Sequence, residues 1–232
     1  MKNKGNMKDK KDIKLKIFET AFEMYFENPT QFSVRNVAKE LKLSREQVYT
    51  HFTSKKAILR YFYQLCFEEY INQTNEIDRY SEFTLEEKLS HLVYTHIELF
   101  QKEKEFVEST FNEIIFKANA NNLFQKSLEK QVEIILDTSE GDASILPKKY
   151  LAMILVKELF HIFKFWIKDD SEKSEDTIEL IDKIIAFLGE ILSNQIITKG
   201  IDLGRTLWGQ NHTGLAPNDL KFLFNSFFNR FA

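Results

Sequence analysis

Cysteine, proline and glycine are scarce in this chain of 232 residues. Cys66 is the only cysteine, so an intrachain disulfide is impossible and a cysteine-based metal site lacks a second thiolate. Only 7 Gly and 3 Pro stand against 22 Phe. A β-rich chain needs frequent turns, which glycine and proline normally supply, so the composition predicts an all-α fold.

Long apolar runs and enzyme motifs are also missing. Nowhere do about eighteen apolar residues run together, and the charged start MKNKGNMKDKKDIKLK lacks the apolar region of a signal peptide. We therefore expect no membrane partner and a cytoplasmic protein. No Gly-rich phosphate loop, nucleophile elbow or His-Glu zinc motif occurs, which argues against an enzyme, a cofactor and a metal site. The acidic pairs Glu86-Glu87 and Asp169-Asp170 are expected to be solvated charge.

The formal net charge of −3 conceals an uneven distribution. Residues 1–63 hold 14 Lys and Arg against 7 Asp and Glu, whereas residues 64–232 hold 18 against 28. Attraction to phosphate depends on the local field, so a basic segment can bind a polyanion even when the whole protein is acidic. The first 63 residues are therefore the candidate nucleic-acid-binding part.

This basic part contains two short helices joined by a tight turn. Residues 33–59 read SVRNVAKELKLSREQVYTHFTSKKAIL. Ser33, Ser44 and Ser54 stand where N-capping residues are preferred. Apolar residues recur at helical spacing on both sides of the turn: Val34, Val37, Ala38, Leu41, Leu43, Val48 and Phe52. The pattern predicts a helix-turn-helix, whose second helix enters the major groove of double-stranded DNA.

The polar side of the second helix is left free for DNA. Arg45 is the candidate for reading guanine and Gln47 for reading adenine. The alternatives are that Arg45 contacts only phosphate and Gln47 only water. Tyr49 offers a hydroxyl, His51 a ring N–H and Lys55 a cation beside the free amides of a helix start, all suited to phosphate.

The remaining helices follow from periodicity and capping signals. Residues 1–11 are predicted as a flexible arm and residues 12–63 as the DNA-binding head, whose first helix ends at Asn28-Pro29. A linking helix runs from about Lys55 past Tyr70 into a helical body over residues 64–232. Thr84 with Glu87 forms a capping-box pattern that starts the first body helix. Further helices are expected near 104–118, 121–138, 147–168 and 175–198, with a terminal amphipathic helix at about 218–231.

Two of these body helices have more apolar surface than one packed face needs. The helices at 147–168 and 175–198 suit a two-fold four-helix interface to which each subunit contributes a pair. This predicts a homodimer. The alternative is that both apolar faces pack inside one subunit.

The segment from Ile13 to Tyr63 resembles the head domain of tetracycline-repressor-type (TetR/AcrR-like) transcriptional regulators. The resemblance is carried by Ser-Val-Arg-x-Val-Ala, the Leu-Ser turn and Val-Tyr-x-His-Phe-x-Ser-Lys-x-x-x-Leu. It implies a homodimer whose heads enter successive major grooves of a near-palindromic operator, and a body that binds a small-molecule effector; most such proteins repress. The residues it implies as DNA contacts are Ser33 and Arg35 at the DNA backbone or the groove edge, Ser44, Arg45, Gln47 and Thr50 in the groove, and Tyr49, His51 and Lys55 at phosphates.

The sequence departs from this family's pattern at three positions. Asn28 and Lys42 stand where the family commonly has glycine. Asn adopts a left-handed conformation readily, whereas Lys42 would do so at a cost of about 1 kcal/mol. Glu46 replaces a usually small residue, and it could accept a hydrogen bond from cytosine, repel phosphate or pair with a neighbouring lysine.

Aromatic and polar residues of the body are candidates for an apolar effector cavity with a few hydrogen-bonding groups. Each is individually also explained as ordinary core. The candidates are His96, Phe100, Phe111, Asn112, Phe116, Phe160, Phe163 and Trp166. Together these expectations describe a regulator, most simply a repressor, that a small apolar or amphipathic molecule releases from DNA. The alternative is a helical protein-interaction module that keeps the head fold without sequence-specific DNA binding.

Overall fold

The computed structural model describes residues 2–118, 122–138 and 148–193. Short 3-10 turns at Tyr80–Glu82 and Glu172–Ser174 and a π-helical turn at Asn112–Phe116 accompany the α-helices. No strand occurs in these three ranges, as the all-α prediction requires, and none of their helices is both long and apolar enough to cross a membrane. The α-helices are α1 (Lys2–Glu27), α2 (Val34–Glu40), α3 (Arg45–Tyr49), α4 (Lys55–Glu76), α5 (Leu85–Gln101), α6 (Lys104–Phe111), α7 (Leu123–Asp137), α8 (Lys148–Ile167) and α9 (Glu175–Ser193).

The first compact unit, called the head below, combines residues up to 69 with residues 102–124. The predicted boundary at residue 63 had placed α6 in the body. The head includes α6 because Phe106, which is fully buried, packs against Phe22 and Phe62 with ring centres 4.8 and 4.9 Å apart. The Tyr25 hydroxyl also donates to Ser109 Oγ at 3.1 Å. The aromatic residues of α1 therefore pack against α6, in addition to the contacts that a helix-turn-helix requires.

Helix α1 begins at Lys2, whereas a flexible arm was predicted for residues 1–11. Met1 and Met7 are the only large apolar residues in this segment, but a helix that is already formed extends at the gain of one hydrogen bond per added residue. The packed part of α1, with Ile17, Phe18 and Ala21 buried, supplies that existing helix. Polar composition therefore did not stop the helix.

The end of α1 is closed by a side chain and not by a left-handed residue. Asn28, expected to adopt the left-handed conformation, has no positive φ angle. Its Oδ1 accepts hydrogen bonds from the backbone N–H and the hydroxyl of Thr30, at 3.1 and 2.5 Å. Asn28 therefore ends the helix through a local side-chain turn, which is the other conformation that asparagine favours.

The second compact unit, called the body below, contains residues 70–101 and the described residues from 125 onward. Its first complete helix, α5, starts with the predicted capping box. The Thr84 N–H donates to Glu87 Oε2 at 2.7 Å, and the Glu87 N–H donates to Thr84 Oγ1 at 3.2 Å. Helix α8 is buried on several sides, as its apolar residues required, and it packs on α5 and α9.

Asp169 is buried, which corrects the expectation that Asp169-Asp170 is solvated charge. Its side chain is 8% exposed and accepts four hydrogen bonds, from the backbone N–H and hydroxyl groups of Ser171 and Thr177. Burial by itself raises the pKa of this carboxyl, but the four donors outweigh it and lower the pKa to about 2. Asp169 thereby ties the connector to the first turn of α9. The terminal helix predicted at about 218–231 lies outside the described residues.

Candidate nucleic-acid interface

The turn between α2 and α3 is built around a lysine in the left-handed conformation. Lys42 has a φ angle of 55°, the conformation that was expected to cost a lysine about 1 kcal/mol. The Leu43 N–H donates to the Ala38 carbonyl at 2.8 Å, which closes the end of α2 across the turn. Leu43 is partly buried beneath it. Ser44 then resumes the extended conformation and caps α3. The turn fixes the direction in which α3 leaves α2.

Helix α3 presents almost all of its surface to solvent. Of its five residues, all of them described, Val48 is fully buried and the other four are exposed. Arg45, Gln47 and Tyr49 therefore project from the head, and Tyr49 keeps 50% of its surface exposed. A short helix held by one apolar anchor and bare on its polar side has the shape needed to enter a DNA groove.

Gln47 has a second role that the sequence reasoning missed. Its Oε1 accepts a hydrogen bond from the Ser44 N–H at 2.7 Å, while its own N–H donates to Ser44 Oγ at 3.1 Å. These two hydrogen bonds form a capping box, and the Ser-x-x-Gln spacing that signals it was present in the sequence. Gln47 is also exposed, so one side chain is a candidate for both capping and base recognition.

Glu46 is held by its own helix start. Hydrogen bonds from its own backbone N–H and from the Ser44 side chain lower the pKa of its carboxyl, and the charge of Arg45 lowers it further. A carboxylate in the first turn is also favoured by the helix dipole. These partners are the helix start, Ser44 and Arg45, so the three roles considered from sequence, which involve cytosine, phosphate or a lysine, stay predictions.

The start of α4 supplies the candidate phosphate group. Ser54 Oγ accepts a hydrogen bond from the Ala57 N–H at 3.1 Å and caps the helix as predicted. Lys55, the first residue of α4, is exposed, and its Nζ lies 4.4 Å from the centre of the Phe32 ring. Phe32 is 1% exposed, so it is a fixed platform for the ammonium group. A cation positioned beside a helix N-terminus suits an anionic oxygen.

The other residues predicted to contact DNA lie in or next to α2 and α3. Ser33 caps α2 by accepting from the Asn36 N–H at 3.2 Å, and Arg35 is exposed on the first turn of α2. Thr50 ends α3, is exposed and donates its hydroxyl hydrogen to the Gln47 carbonyl at 2.7 Å. His51 is partly buried. Eight of the nine predicted DNA-contacting residues thus belong to α2, α3, their caps or the start of α4, and His51 lies in the connection between α3 and α4.

The eight candidate effector residues do not form one group in the structure. Phe111, Asn112 and Phe116 belong to the head, whereas the other five belong to the body. In the body, Phe100 lies with its ring centre 5.1 Å from that of Phe163. His96, Phe160, Phe163 and Trp166 are buried there too. The aromatic side chains therefore fill core space where a cavity had been expected.

The body nevertheless contains a cavity of about 40 Å³, between α5, α7, α8 and α9. Its lining is aliphatic: ten residues are leucine, valine or isoleucine, among them Leu92, Val93, Leu155 and Ile184, and none of the eight candidates is included. The eleventh is Glu158, which sequence reasoning missed. The signal was available, because Glu158 stands on the apolar face of α8, three residues after Leu155.

Two family models match the sequence. Residues 17–62 match the model described as bacterial regulatory proteins, tetR family, and residues 88–207 match the model described as tetracyclin repressor-like, C-terminal domain. The second match alone spans more than half of the chain. A comparison with curated proteins finds no match.

Among solved structures, the fold is similar to that of a TetR transcriptional regulator from Nitrosomonas europaea. The TM-score is 0.51 at 16% sequence identity, and the similarity covers 75% of this chain and 96% of the other. At that identity the likeness supports the fold. With the two family models and the bare polar face of α3, it leads to one assignment. The chain belongs to the TetR family of transcriptional regulators, which are DNA-binding transcription factors and not enzymes.

Proposed function

We propose that this TetR-family regulator is a repressor that binds a near-palindromic operator as a homodimer and is released by a small apolar or amphipathic molecule. The observation that carries the proposal is the exposure of α3, where Arg45, Gln47 and Tyr49 project to solvent and Val48 alone anchors the helix. Regulation of this kind places the protein in the bacterial cytoplasm.

The DNA contacts divide into sequence reading and positioning. Arg45 and Gln47 are assigned to base edges, because an exposed guanidinium pairs with guanine and a carboxamide with adenine. Lys55 and Tyr49 are assigned to phosphates, which fix the head on the duplex without choosing a sequence. The remaining assigned contacts are Ser33, Arg35, Ser44, Thr50 and His51.

Dimerisation is supported by apolar residues left exposed on the body. Tyr150 and Met153 lie three residues apart on α8 and keep 51% and 43% of their surfaces exposed. On α9, Ile178 keeps 43% exposed. Apolar surface on the two long helices is what a four-helix interface between subunits would cover. This apolar surface is exposed even though α8 and α9 already pack on each other within one chain.

The response to a ligand is supported by the contacts of α5, which lines the cavity and holds the linking helix. Tyr70 of α4 has its ring centre 5.1 Å from that of His96 on α5, and Thr74 hydrogen bonds His91 Nε2 at 3.0 Å. Leu92 and Val93, between those histidines, line the cavity. A ligand that moves α5 would therefore act on α4, whose first residues follow directly from α3 along the chain.

The DNA-binding proposal is tested by selecting bound duplexes from a random pool with the full-length protein. A repressor of this kind should enrich a palindrome with two half-sites about one helical turn apart. Affinity for that palindrome should also fall steeply with salt, with a slope of about −0.9 per phosphate contacted. A pool that shows no enrichment at any salt concentration would instead support the interaction module.

The dimer is tested by light scattering of the full-length protein and two matched variants. Wild type should have twice the 27.5 kDa of one chain. Met153→Asp places a charge on the exposed stripe of α8 and should shift the mass toward one chain. Ile134→Asp is the control, because Ile134 is 45% exposed on α7, away from the two helices assigned to the interface. A monomeric wild type, or a dimer that survives Met153→Asp, would contradict the proposed interface.

A further inference from the structure

The body cavity has one ionisable residue in an otherwise aliphatic wall. Glu158 is 6% exposed, and the ten other lining residues are leucine, valine and isoleucine. Within the described parts of the chain, its carboxylate makes no hydrogen bond and no ion pair. Lys157, the neighbour that acts on it electrostatically, is itself exposed. Glu158 is thus a nearly buried acidic residue in the wall of an aliphatic cavity, without a hydrogen-bonding or ionic partner among the described residues.

A nearly buried carboxylate without a partner lowers the stability of the folded protein. Transfer of an ionised group from water into an apolar environment is strongly unfavourable unless the group is paired and hydrogen-bonded. Burial accordingly raises the pKa of the Glu158 carboxyl, an effect that Lys157 offsets only in part. Leucine or methionine at this place would pack without that penalty. The packing of α8 alone therefore does not account for an acidic residue at this place.

We infer that Glu158 recognises a protonated amine, so that the effector of this regulator is a small organic cation with an apolar part. The inference deepens the proposed ligand response and rests on it. An ammonium group supplies N–H donors and a positive charge to the carboxylate, and the attached carbon chain contacts the leucine, valine and isoleucine walls. The cavity of about 40 Å³ exceeds the roughly 10–15 Å³ that a single water molecule needs, so it has room for an ammonium group together with apolar carbon atoms.

The competing ligand chemistries fit less well. An anionic effector such as a fatty acid would place a second carboxylate against Glu158 and would be repelled. A neutral alcohol could donate one hydrogen bond but would leave the carboxylate charge buried and unpaired. A ligand with no polar group would give the Glu158 carboxylate no partner. Only a cation satisfies both the charge and the aliphatic wall.

The test compares three probes with the same four-carbon chain: n-butylammonium, 1-butanol and butanoate. Binding to the full-length protein is measured by calorimetry near neutral pH without DNA. We expect n-butylammonium to bind at least tenfold tighter than 1-butanol, and butanoate to bind most weakly. Equal affinity for the amine and the alcohol, or no binding of the amine, would overturn the inference.

Variants of Glu158 test whether this residue causes the preference for n-butylammonium over 1-butanol. Glu158→Gln keeps the size of the side chain and should weaken n-butylammonium at least tenfold while leaving 1-butanol unchanged. Glu158→Leu should lose the same preference and unfold at a temperature no lower than wild type, which shows that the body still folds. Glu98→Gln, the same chemical change at an exposed position of α5, should bind like wild type. Retention of the amine preference in Glu158→Gln would overturn the inference.

A separate measurement distinguishes this inference from the proposed function. If n-butylammonium binds through Glu158 but leaves affinity for the selected palindrome unchanged, the proposed ligand release is wrong and the cation site stands. If an uncharged molecule releases the palindrome and n-butylammonium does not bind, the proposed function stands and the cation site is wrong.

Discussion

Gln47 offers the sharpest perturbation, because one side chain is assigned both to the stability of α3 and to DNA recognition. Gln47→Ala removes the hydrogen bond from the Ser44 N–H, which is 2.7 Å long and exposed. Loss of an N-terminal capping contact of this kind typically costs about 0.5–2 kcal/mol. Helix α3 has only five residues, so this contact satisfies a large share of its free amides. We expect Gln47→Ala to lower the free energy of unfolding of the head by about 1 kcal/mol.

Gln47→Glu separates the two roles. A glutamate retains an acceptor for the Ser44 N–H and places negative charge at a helix start, so the head should be at least as stable as in wild type. It has no N–H donors, so it cannot donate to an acceptor on adenine. Discrimination at one base pair should fall by about 1–3 kcal/mol, which is about 5- to 160-fold in affinity ratio.

The assays are urea unfolding of the full-length protein and titration of the selected palindrome against single-base variants. The reasoning predicts that Ala lowers stability and Glu does not, while both lose base preference at one position. Two results would refute it: equal stability of wild type and Gln47→Ala, or a Glu variant that still prefers the same base.

Three further predictions concern stability and reactivity. Lys42→Gly should stabilise the head by about 0.5–1 kcal/mol in urea unfolding, because glycine adopts the positive φ angle freely, whereas Lys42→Ala should give no gain. Asp169→Asn should destabilise the body by about 2 kcal/mol at pH 7, from the drop in the Asp169 pKa from 3.8 to about 2. Because the folded pKa lies below the unfolded one, that stability is present above about pH 4, and the difference between wild type and variant should shrink as the pH falls toward 2; a constant difference would contradict it. Burial raises the pKa of the Cys66 thiol to about 12, so a disulfide reagent should label it at pH 8 only as fast as the head unfolds.

Local features of the fold were predictable because they arise from neighbouring residues. The helix-turn-helix follows from apolar spacing, whereas the left-handed conformation of Lys42 was considered from sequence only as a cost of about 1 kcal/mol. The capping box at Thr84 and Glu87 has a fixed four-residue signature. The same signature at Ser44 and Gln47 was available and was overlooked because Gln47 had been assigned to DNA.

Features that depend on tertiary contacts were not predictable in the same way. Asp169 looked like solvated charge because its donors, Ser171 and Thr177, are recognisable only once the connector has folded over the start of α9. The packing of Phe106 against α1 likewise joins residues far apart in sequence. Aromatic residues suggested an effector site, but they pack as core, and the described cavity has an aliphatic lining with Glu158 in it.

The most direct test of the central claim, that the exposed face of α3 reads base sequence, is the affinity ratio between the selected palindrome and a scrambled duplex. In wild type this ratio should be large. Arg45→Ala should reduce the difference in binding free energy between the two duplexes by about 1–3 kcal/mol for each half-site base that Arg45 contacts. Lys55→Ala should weaken both duplexes alike and lower the salt slope by about 1, leaving the ratio unchanged. A ratio that Arg45→Ala leaves intact would contradict the account.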